Sequence, residues 1–397
     1  MTASILQLQA KGELDTYLTG NPTISYYKYA SHRHTNFAMQ TFELLFSSNV
    51  AWGKKIECVV PSKGDLVSRM YLQIRLPALS TENLNQSATW VSNLGYAIIK
   101  DAEVEIGGQR MDIQSGEYLY TYDQLFTPGG KKQGVNYFTG NTIEPSEERL
   151  LYVPLHFWFN DHQNLSLPMI ALQMHEVVIR LNLRSFQEVT NGANVEIPIM
   201  GMSILTDYIF LDIPERNNLL NRKLEYLVQQ VQSNAEKSSS KLKYPVDLVF
   251  RNNVKELIWM VESSSNTNNS NNTKSYFRFT INGNVNPVKK VTLQFNGNDK
   301  FTDLPGEYFN LIQPYQHHSN IPENAGIHVY SLSLSPEMFH PSGSLNFSMI
   351  ENATLLIELQ DSYFKGSNNK VSALTKVYAT SYNILIIENG TCTMKYY

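Results

Sequence analysis

The amino-acid sequence predicts an all-β protein made of two similar domains, and three observations support this. Short segments rich in β-branched and aromatic residues recur along the whole chain, separated by Gly, Pro, Asn and Ser. The chain has 397 residues, and since one hydrophobic core stops growing at about 250–300 residues, this length favours two domains. Finally, three short patterns of the first half return in the same order in the second half.

The clearest predicted strands alternate partly between apolar and polar residues and are bounded by turn-forming residues. They are Leu66–Leu76, Ala102–Ile106, His175–Leu183, Ile204–Leu211, Lys290–Phe295, Ala353–Leu359 and Tyr382–Ile387. A parallel α/β fold would need helical crossovers of about 10–15 residues between such strands. The pattern therefore favours a β-sandwich or a barrel.

The internal repeat consists of three pairs of matching segments. The first pair predicts, in each half, a strand, a two-residue primed turn and a returning strand. The matching segments are Val104–Gly108 followed by Gly116-Glu117-Tyr118 with Leu293–Gly297 followed by Gly306-Glu307-Tyr308, Leu167–Ile170 with Phe347–Ile350, and Asp207–Phe210 with Ser381–Ile384. The repeat indicates two copies of one β domain.

The region between the two copies has a different character. Pro214-Glu215-Arg216 opens a predicted helix at Asn217–Tyr226, because Pro suits the first helical turn. The polar, Ser-rich segment Val228–Lys241 is typical of a linker. The tract Ser263–Ser275 (SSSNTNNSNNTKS) cannot bury apolar surface, so we expect a solvent-exposed loop there. Thr127–Asn141 is interpreted as another, modest loop.

Composition excludes several classes of function. Only 17% of residues are charged and the net charge is -4, so no basic stripe is available for phosphates and direct nucleic-acid binding is not expected. A surface with few charges can also pack against neighbours at little desolvation cost. Cys58 and Cys392 are too far apart in sequence to suggest a disulfide framework or a metal cage, which favours a reducing compartment. Met1–Glu13 has no signal-peptide pattern, and no segment is long and apolar enough to span a membrane.

A series of motifs runs in order through essentially the whole chain. It begins with Gly12–Pro22, Tyr27-Lys28 and Arg33–Ala38 and continues with Gly64-Asp65-Leu66, Glu105–Asp112, Val153–Phe159, Leu167–Leu172, His175-Glu176-Val177, Asp207–Asp212, Glu215-Arg216, Glu225–Gln230, Gln313-Pro314-Tyr315, Tyr330-Ser331-Leu332, Pro341–Ser348 and Tyr382–Leu385. This series resembles the major capsid proteins of the nucleocytoplasmic large DNA viruses. An ordered series is far more specific than any single motif.

The resemblance implies an all-β fold of two consecutive eight-stranded jelly rolls (β-sandwich domains), with short helices in the connections. The implied domains are an N-terminal arm at residues 1–14, a first jelly roll at 15–212, a helix-containing linker at 213–224 and a second jelly roll at 225–397. Relatives often carry long insertions between strands, whereas the loops of this sequence are short. We therefore expect a comparatively smooth outer surface.

The implied function is that of a structural capsid protein of a large icosahedral double-stranded DNA virus, with no enzymatic activity and no cofactor. Three chains are expected to form a pseudo-hexameric homotrimeric capsomer that tiles the outer shell. The implied partners are neighbouring capsomers, minor capsid proteins and the internal membrane side of the shell, and the implied location is the virion capsid, assembled in the host cytoplasm. A minor capsid paralogue and a carbohydrate-binding jelly-roll module used in host attachment are the alternatives.

Motifs that carry chemistry are weak in this sequence. His32 and His34 would share a strand face, but no nearby carboxylate completes a metal site of the cupin type. Gly129–Gly134 (GGKKQG) lacks the order of a phosphate-binding loop and is interpreted as a turn. No GxSxG nucleophile motif occurs. The rings of Phe157-Trp158-Phe159 could stack on a sugar but more often fill a core.

The sequence contains several N-x-[ST] sequons, as expected for a chain this rich in Asn. Asn268 and Asn271 are the possible glycosylation sites, because they lie in the predicted exposed tract. Catalytic, cofactor-binding and metal-ligating residues are not predicted.

Overall fold

The computed structural model describes residues 2–28, 31–79, 88–142, 147–193, 195–267, 274–281, 284–364 and 371–396. Contacts between residues divide the chain into two units, Met1–Asn36 and Phe37–Tyr397. The first unit contains helices α1 (Ala3–Gln9) and α2 (Glu13–Thr19), neither of which has a buried residue. Helix α2 begins at a cap in which the backbone N–H of Gly12 donates to Asp15 Oδ2 at 2.9 Å.

The second unit begins with a barrel of two four-stranded antiparallel sheets. Its strands are β1 (Phe37–Leu45), β2 (Lys55–Val60), β3 (Leu66–Leu76), β4 (Ile99–Ile106), β5 (Gln109–Ser115), β6 (Arg149–Pro154), β7 (Val177–Leu183) and β8 (Gly201–Leu211). One sheet has the order β1-β8-β3-β6 and the other β2-β7-β4-β5. Two short strands, Thr89–Trp90 and Thr190–Asn191, pair with each other outside these sheets.

A second barrel follows in the same unit. Its strands are β9 (Leu224–Ser233), β10 (Lys243–Asp247), β11 (Asn253–Ser263), β12 (Val288–Phe295), β13 (Asn298–Pro305), β14 (Ile327–Ser331), β15 (Ala353–Leu359) and β16 (Ala373–Glu388). The sheet orders are β9-β16-β11-β14 and β10-β15-β12-β13. Short strands extend the first of these sheets: Lys237–Ser239 and Thr391–Met394 pair with β16, and Leu345–Asn346 pairs with β11.

The two barrels have the same topology, since adding eight to each strand number of the first barrel gives the sheet orders of the second. Consecutive strands alternate between two facing sheets, except for the hairpins β4-β5 and β12-β13, which each lie within one sheet, and the first strand of each barrel pairs with the last. This arrangement is a jelly roll. The all-β, double jelly-roll fold expected from the sequence is therefore confirmed.

The repeated motifs occupy equivalent places. Gly107 and Gly108 both have positive φ between β4 and β5, and Asn296 and Gly297 do so between β12 and β13, as the predicted primed turns require. The second motif forms a 3-10 helix in each barrel, at Met169–Ala171 before β7 and at Phe347–Met349 before β15.

The third motif lies on equivalent strands but one residue out of register. A β-bulge follows the pair Val67–Tyr208 in the first barrel and the pair Val254–Ser381 in the second. Tyr208 therefore corresponds to Ser381 and not, as the sequence suggested, to Tyr382. The bulge shifts the backbone pairing of the two strands by one residue, and an alignment by residue type does not detect this shift.

Short helices connect the strands. They are α3 (Leu94–Ile98), α4 (Gly116–Phe126), α5 (Gly129–Thr139), α6 (Trp158–Asp161), α7 (Phe186–Val189), α8 (Ile213–Leu220), α9 (Ser264–Thr267) and α10 (Gln313–His317), with 3-10 turns at Gln163–Leu165, Met169–Ala171 and Phe347–Met349. A π-helical turn at Tyr308–Ile312 runs directly into α10. No helix within the described ranges is long and apolar enough to cross a membrane.

Two expectations about the connections need correction. The helix predicted at Asn217–Tyr226 is α8 (Ile213–Leu220), which has Pro214 in its first turn as expected but ends at Leu220 and not at Tyr226. The segment Val228–Lys241, interpreted as a linker, instead supplies most of β9 and the short strand Lys237–Ser239, both paired with β16. Sheet pairing, which is a tertiary effect, overrides the polar composition here.

The turn predicted at Gly129–Gly134, within the loop expected at Thr127–Asn141, is also wrong. Helix α5 begins at Gly129 and ends before Gly140, whose φ of 76° suits a helix C-terminus. Burial of Lys132 and Thr139, together with Arg149 stacked 4.1 Å from the Tyr137 ring centre, holds this helix against the barrel. Packing therefore outweighs the poor helix propensity of three glycines.

Candidate functional site

Buried charged and aromatic side chains concentrate where the two barrels meet. The second barrel contributes the outer face of its β9-β16-β11-β14 sheet, and the first barrel contributes α4, β5 and the segment after β6. Ile258, Met260 and Tyr378 on that outer face belong to one continuous apolar core with the interior of the first barrel. The interior of the second barrel, around Trp259 and Ile357, is a separate core. The contact therefore resembles a domain core more than a surface contact.

Aromatic side chains of α4 make much of this contact. The ring centres of Tyr118 and Tyr378 are 5.4 Å apart, and Tyr120 and Phe277 are 4.6 Å apart. Phe126 meets His318 edge to face at 5.0 Å. Such pairs add about 0.5–1.5 kcal/mol each beyond their buried area. They fix the orientation of α4 on the second barrel.

Hydrogen bonds join the edges of the two barrels. Asp112 Oδ1 accepts a hydrogen bond from the backbone N–H of Val231 at 3.0 Å, and burial raises the pKa of Asp112 to about 7. At the other end, the backbone N–H of Met174 donates to the carbonyl of Gly390 at 3.0 Å. The backbone N–H of Cys392 donates to His175 Nδ1, also at 3.0 Å. The hairpin after β16 is thus pinned to the first barrel.

Glu117 is the centre of a buried ion-pair network. Its Oε1 lies 2.6 Å from Arg184 of the first barrel and 3.3 Å from Lys376 Nζ of the second. Burial raises the pKa of Glu117, but the two cations outweigh this effect and lower it. Arg184 also donates to the carbonyls of Ala97 and Ile99. Because the buried Glu117 carboxylate is paired with two cations, one from each barrel, its role is to link the barrels and not to react.

His156 lies between two carboxylates at the same interface. Its Nδ1 is 3.0 Å from Asp161 and its Nε2 is 3.4 Å from Asp123. Burial lowers the pKa of His156, but the two carboxylates outweigh it and raise the pKa to about 10. The ring stacks on Tyr122 with 4.1 Å between the ring centres. A histidine held charged in this way cannot act as a general base near neutral pH.

Further buried charges surround a small cavity beside His156. Lys255 Nζ donates to Gln229 Oε1 and to the carbonyl of Pro336, both at 2.6 Å, and burial lowers its pKa. The neighbouring Glu256 carboxylate is 3.4 Å from His318 Nε2. The cavity has a volume of about 20 Å³, which is room for about one water molecule. This is too small for an organic substrate.

The structure also describes the other side chains that the sequence singled out for chemistry. His32 and His34 belong to the first unit, in irregular chain ahead of β1, so the strand face that they were expected to share is not formed. Among the residues that the structure describes, no three His, Cys, Asp or Glu side chains form a metal site. The rings of Phe157, Trp158 and Phe159 are buried, which leaves no face open for a sugar.

The two possible glycosylation sites, Asn268 and Asn271, lie outside the described residues, as does the sequon residue Asn85. Sequence reasoning missed Glu117, Arg184 and Lys376. Glu117 lies inside the repeated Gly-Glu-Tyr motif, but its counterpart Glu307 is exposed. The motif alone therefore does not distinguish a buried link from a surface carboxylate.

Comparison with known proteins covers almost the whole chain. Residues 25–212 match a family described as "Major capsid protein N-terminus", and residues 215–393 match "Large eukaryotic DNA virus major capsid protein". The major capsid proteins of Pyramimonas orientalis virus and Phaeocystis pouchetii virus are 34% and 31% identical over all of both chains. A chain of the quasi-atomic PBCV-1 virus capsid superimposes with a TM-score of 0.79 at 28% identity, covering 94% of this chain and 100% of that chain.

Proposed function

The chain belongs to the family of large eukaryotic DNA virus major capsid proteins, and we propose from this that it is a structural subunit of an icosahedral double-stranded DNA virus whose capsomer is a homotrimer. The observation that carries the proposal is the identical strand order of the two barrels. Three chains then supply six similar barrels, so that one gene product can imitate a hexagonal tile. Contacts between different patches of neighbouring tiles can extend into a shell.

A tile must be rigid, and the contact between the barrels suits that role. Its continuous apolar core and the Glu117 network hold the barrels as one body. The side chains that could do chemistry, such as His156 and Glu117, are paired and buried there. We therefore propose a structural and not an enzymatic role.

The finer assignments follow from the family. We propose the domain division given by the sequence, with jelly rolls at residues 15–212 and 225–397, an arm at 1–14 and a linker at 213–224. We further propose contacts with neighbouring capsomers, minor capsid proteins and the internal membrane side of the shell, assembly in the host cytoplasm, and possible glycosylation at Asn268 and Asn271.

Light scattering of the purified chain tests the proposal. A homotrimer has about three times the chain mass of 45.3 kDa, unchanged over a wide range of concentration, because obligate interfaces commonly bury about 2,000 Å² or more. A mass that stays at that of one chain at every concentration contradicts the proposal.

A further inference from the structure

A polar cleft opens between the two barrels, at the end opposite to the one where the chain enters and leaves them. Phe37, the first residue of β1, pairs with Leu211, the last residue of β8, so the chain enters and leaves the first barrel at one end. Strand β3 begins beside the end of β8 and runs antiparallel to it, and β11 runs in the same way along β16. The connections that follow β3 and β11 therefore lie at the other end, where they line the cleft.

The cleft has the size of a ligand site and a polar lining. Its volume is about 430 Å³, and small-molecule sites commonly have about 300–1,000 Å³. Amides and hydroxyls dominate its walls, which include Ser92, Asn93, Asn136 and Asn141 of the first barrel and Thr280 and Asn324 of the second. Among the described residues that line it, Arg278 and Glu323 carry the charges, and these cancel.

Three amide side chains on the first wall have no partner in the protein. The backbone N–H of Asn93 donates to the carbonyl of Asn141 at 3.2 Å, and that of Asn141 donates to the carbonyl of Asn136 at 2.9 Å. Their side chains, in contrast, make no hydrogen bond to any residue that the structure describes. Asn93 is only 8% exposed, and buried polar groups are nearly always hydrogen-bonded. The wall therefore presents donors and acceptors that a ligand can satisfy.

The second wall is held in place by its own hydrogen bonds. Asn324 Nδ2 donates to the carbonyl of Phe277 at 2.7 Å, and Asn284 Nδ2 donates to the carbonyl of Glu323 at 2.9 Å. The ring of Phe277 lies 4.6 Å from that of Tyr120 in α4, and both residues line the cleft. Since these contacts order the wall before a ligand arrives, binding costs less conformational entropy.

We propose that this cleft binds a neutral oligosaccharide. A side-chain amide offers two N–H donors and one carbonyl acceptor, so it can donate to one hydroxyl of a sugar and accept from the next. The edges of Tyr120 and Phe277 add apolar surface for the C–H groups of a sugar ring. An anionic ligand would meet Glu323 as well as Arg278, so charge does not favour it. This role goes beyond the proposed function, which assigns no ligand to the shell.

A homotrimer suits the cleft to a surface that carries many copies of one glycan. Threefold rotation keeps the same end of all three chains on one side, so three clefts open on one face. Several weak sites on one face bind a multivalent surface far more tightly than one site binds a free sugar. This step rests on the proposed trimer, whereas the binding of one oligosaccharide by one cleft does not.

Saturation-transfer NMR of the purified full chain tests the inference. The probes are four neutral sugars, maltotriose, chitotriose, mannobiose and lactose, with sialyllactose as the anionic comparison. We expect saturation transfer to at least one neutral sugar. Asn136→Ala should weaken this binding by about three- to tenfold, the effect of one lost hydrogen bond. Ser92→Trp places a bulky ring at an exposed position of the wall and should abolish the binding.

The matched control is Gln133→Ala, which removes an exposed amide from the same helix, α5, outside the cleft. It should bind like the wild type, and because Ala favours a helix, neither alanine variant is expected to unfold α5. The inference is overturned if no neutral sugar binds, if sialyllactose binds more tightly, if Gln133→Ala and Asn136→Ala weaken binding equally, or if folded Ser92→Trp binds like the wild type.

Light scattering of the same samples separates this inference from the proposed function. A trimer that binds none of the neutral sugars overturns the inference and leaves the proposed function standing. A monomer that binds one of them through the cleft removes the proposed function and supports the inference.

Discussion

Gly116 and Gly306 occupy the same position in the two barrels, and each is pressed against a carbonyl oxygen. A Cβ at Gly116 would lie 2.3 Å from the oxygen of Ile99, the first residue of β4. A Cβ at Gly306 would lie 2.2 Å from the oxygen of Val288, the first residue of β12. Both glycines follow the hairpin that ends in β5 or β13. The same local requirement has thus been kept in both halves, which supports a duplicated domain.

Replacement of either glycine is expected to destabilise its barrel. Because a backbone carbonyl cannot move aside cheaply, Gly116→Ala and Gly306→Ala should each lower the free energy of unfolding by about 1–3 kcal/mol or more. The control is Gly134→Ala in α5, where a Cβ meets nothing within 4 Å; it should gain up to about 1 kcal/mol. Urea denaturation measures all three. Wild-type stability for Gly306→Ala would show that the two positions are not equivalent.

Loss of the Glu117 charge is expected to loosen the contact between the barrels. Glu117→Gln leaves Arg184 and Lys376 without their shared carboxylate, which costs about 3–5 kcal/mol for a buried pair. Lys55→Gln breaks the pair between Lys55 and Glu103, in which Lys55 is 46% exposed, and should cost less than about 1 kcal/mol. The midpoints of chemical unfolding compare the two. Equal effects would mean that the Glu117 network does not link the barrels.

Stability is expected to fall as the pH rises from about 4 to 7. Burial raises the pKa of Asp112 to about 7 from its ordinary value of 3.8, so in this interval the folded chain holds a proton that the unfolded chain releases. Its stabilisation is complete below the unfolded pKa and disappears as the pH passes 7. Glu262, whose pKa burial raises to about 8, extends the same trend.

Asp112→Asn tests this pH dependence, because the amide oxygen can still accept from Val231 while the titrating group is removed. The slope of unfolding free energy against pH should decrease between pH 4 and 7, by at most about 1.4 kcal/mol per pH unit. Asp361→Asn, on a side chain that is 70% exposed, should keep the wild-type slope. An unchanged slope in Asp112→Asn would exclude Asp112 as the source.

Both cysteines are expected to be unreactive in the folded chain. Burial raises the pKa of Cys58 to about 11 and that of Cys392 to about 12, so little thiolate is present at pH 8. A thiol reagent at pH 8 should label neither residue until denaturant is added, when both react. Rapid labelling of Cys392 in buffer would mean that the hairpin after β16 is not held on the first barrel.

Much of the fold was predictable because its signals are local. The primed turns at Gly107-Gly108 and Asn296-Gly297 require residues that tolerate positive φ. Gly and Asn are such residues, so these turns can be recognised from the sequence alone. Helix α5 and strand β9 were not predictable in this way. Helix α5 contains three glycines, which disfavour a helix, and β9 ends in the mostly polar segment Gln229–Ser233. The observed structure comes from packing of α5 against β6 and from pairing of β9 with β16.

The site was less predictable than the fold. Glu117, Arg184 and Lys376 are far apart in sequence. The residues next to each of them do not indicate that the charged side chain is buried. Tyr378 and Leu205 occupy corresponding places on their strands, yet one is covered by α4 and the other is not. Only the arrangement of the two barrels separates a buried contact from a free surface.

The central claim is that three chains form one capsomer with six similar barrels. Electron microscopy of the purified homotrimer tests this claim most directly. Class averages viewed along the particle axis should show six lobes of similar size with threefold symmetry, because each of three chains supplies two barrels of one topology. Averages that show three lobes, two lobes or open filaments would contradict the account, since three chains would then not supply six similar barrels to one closed tile.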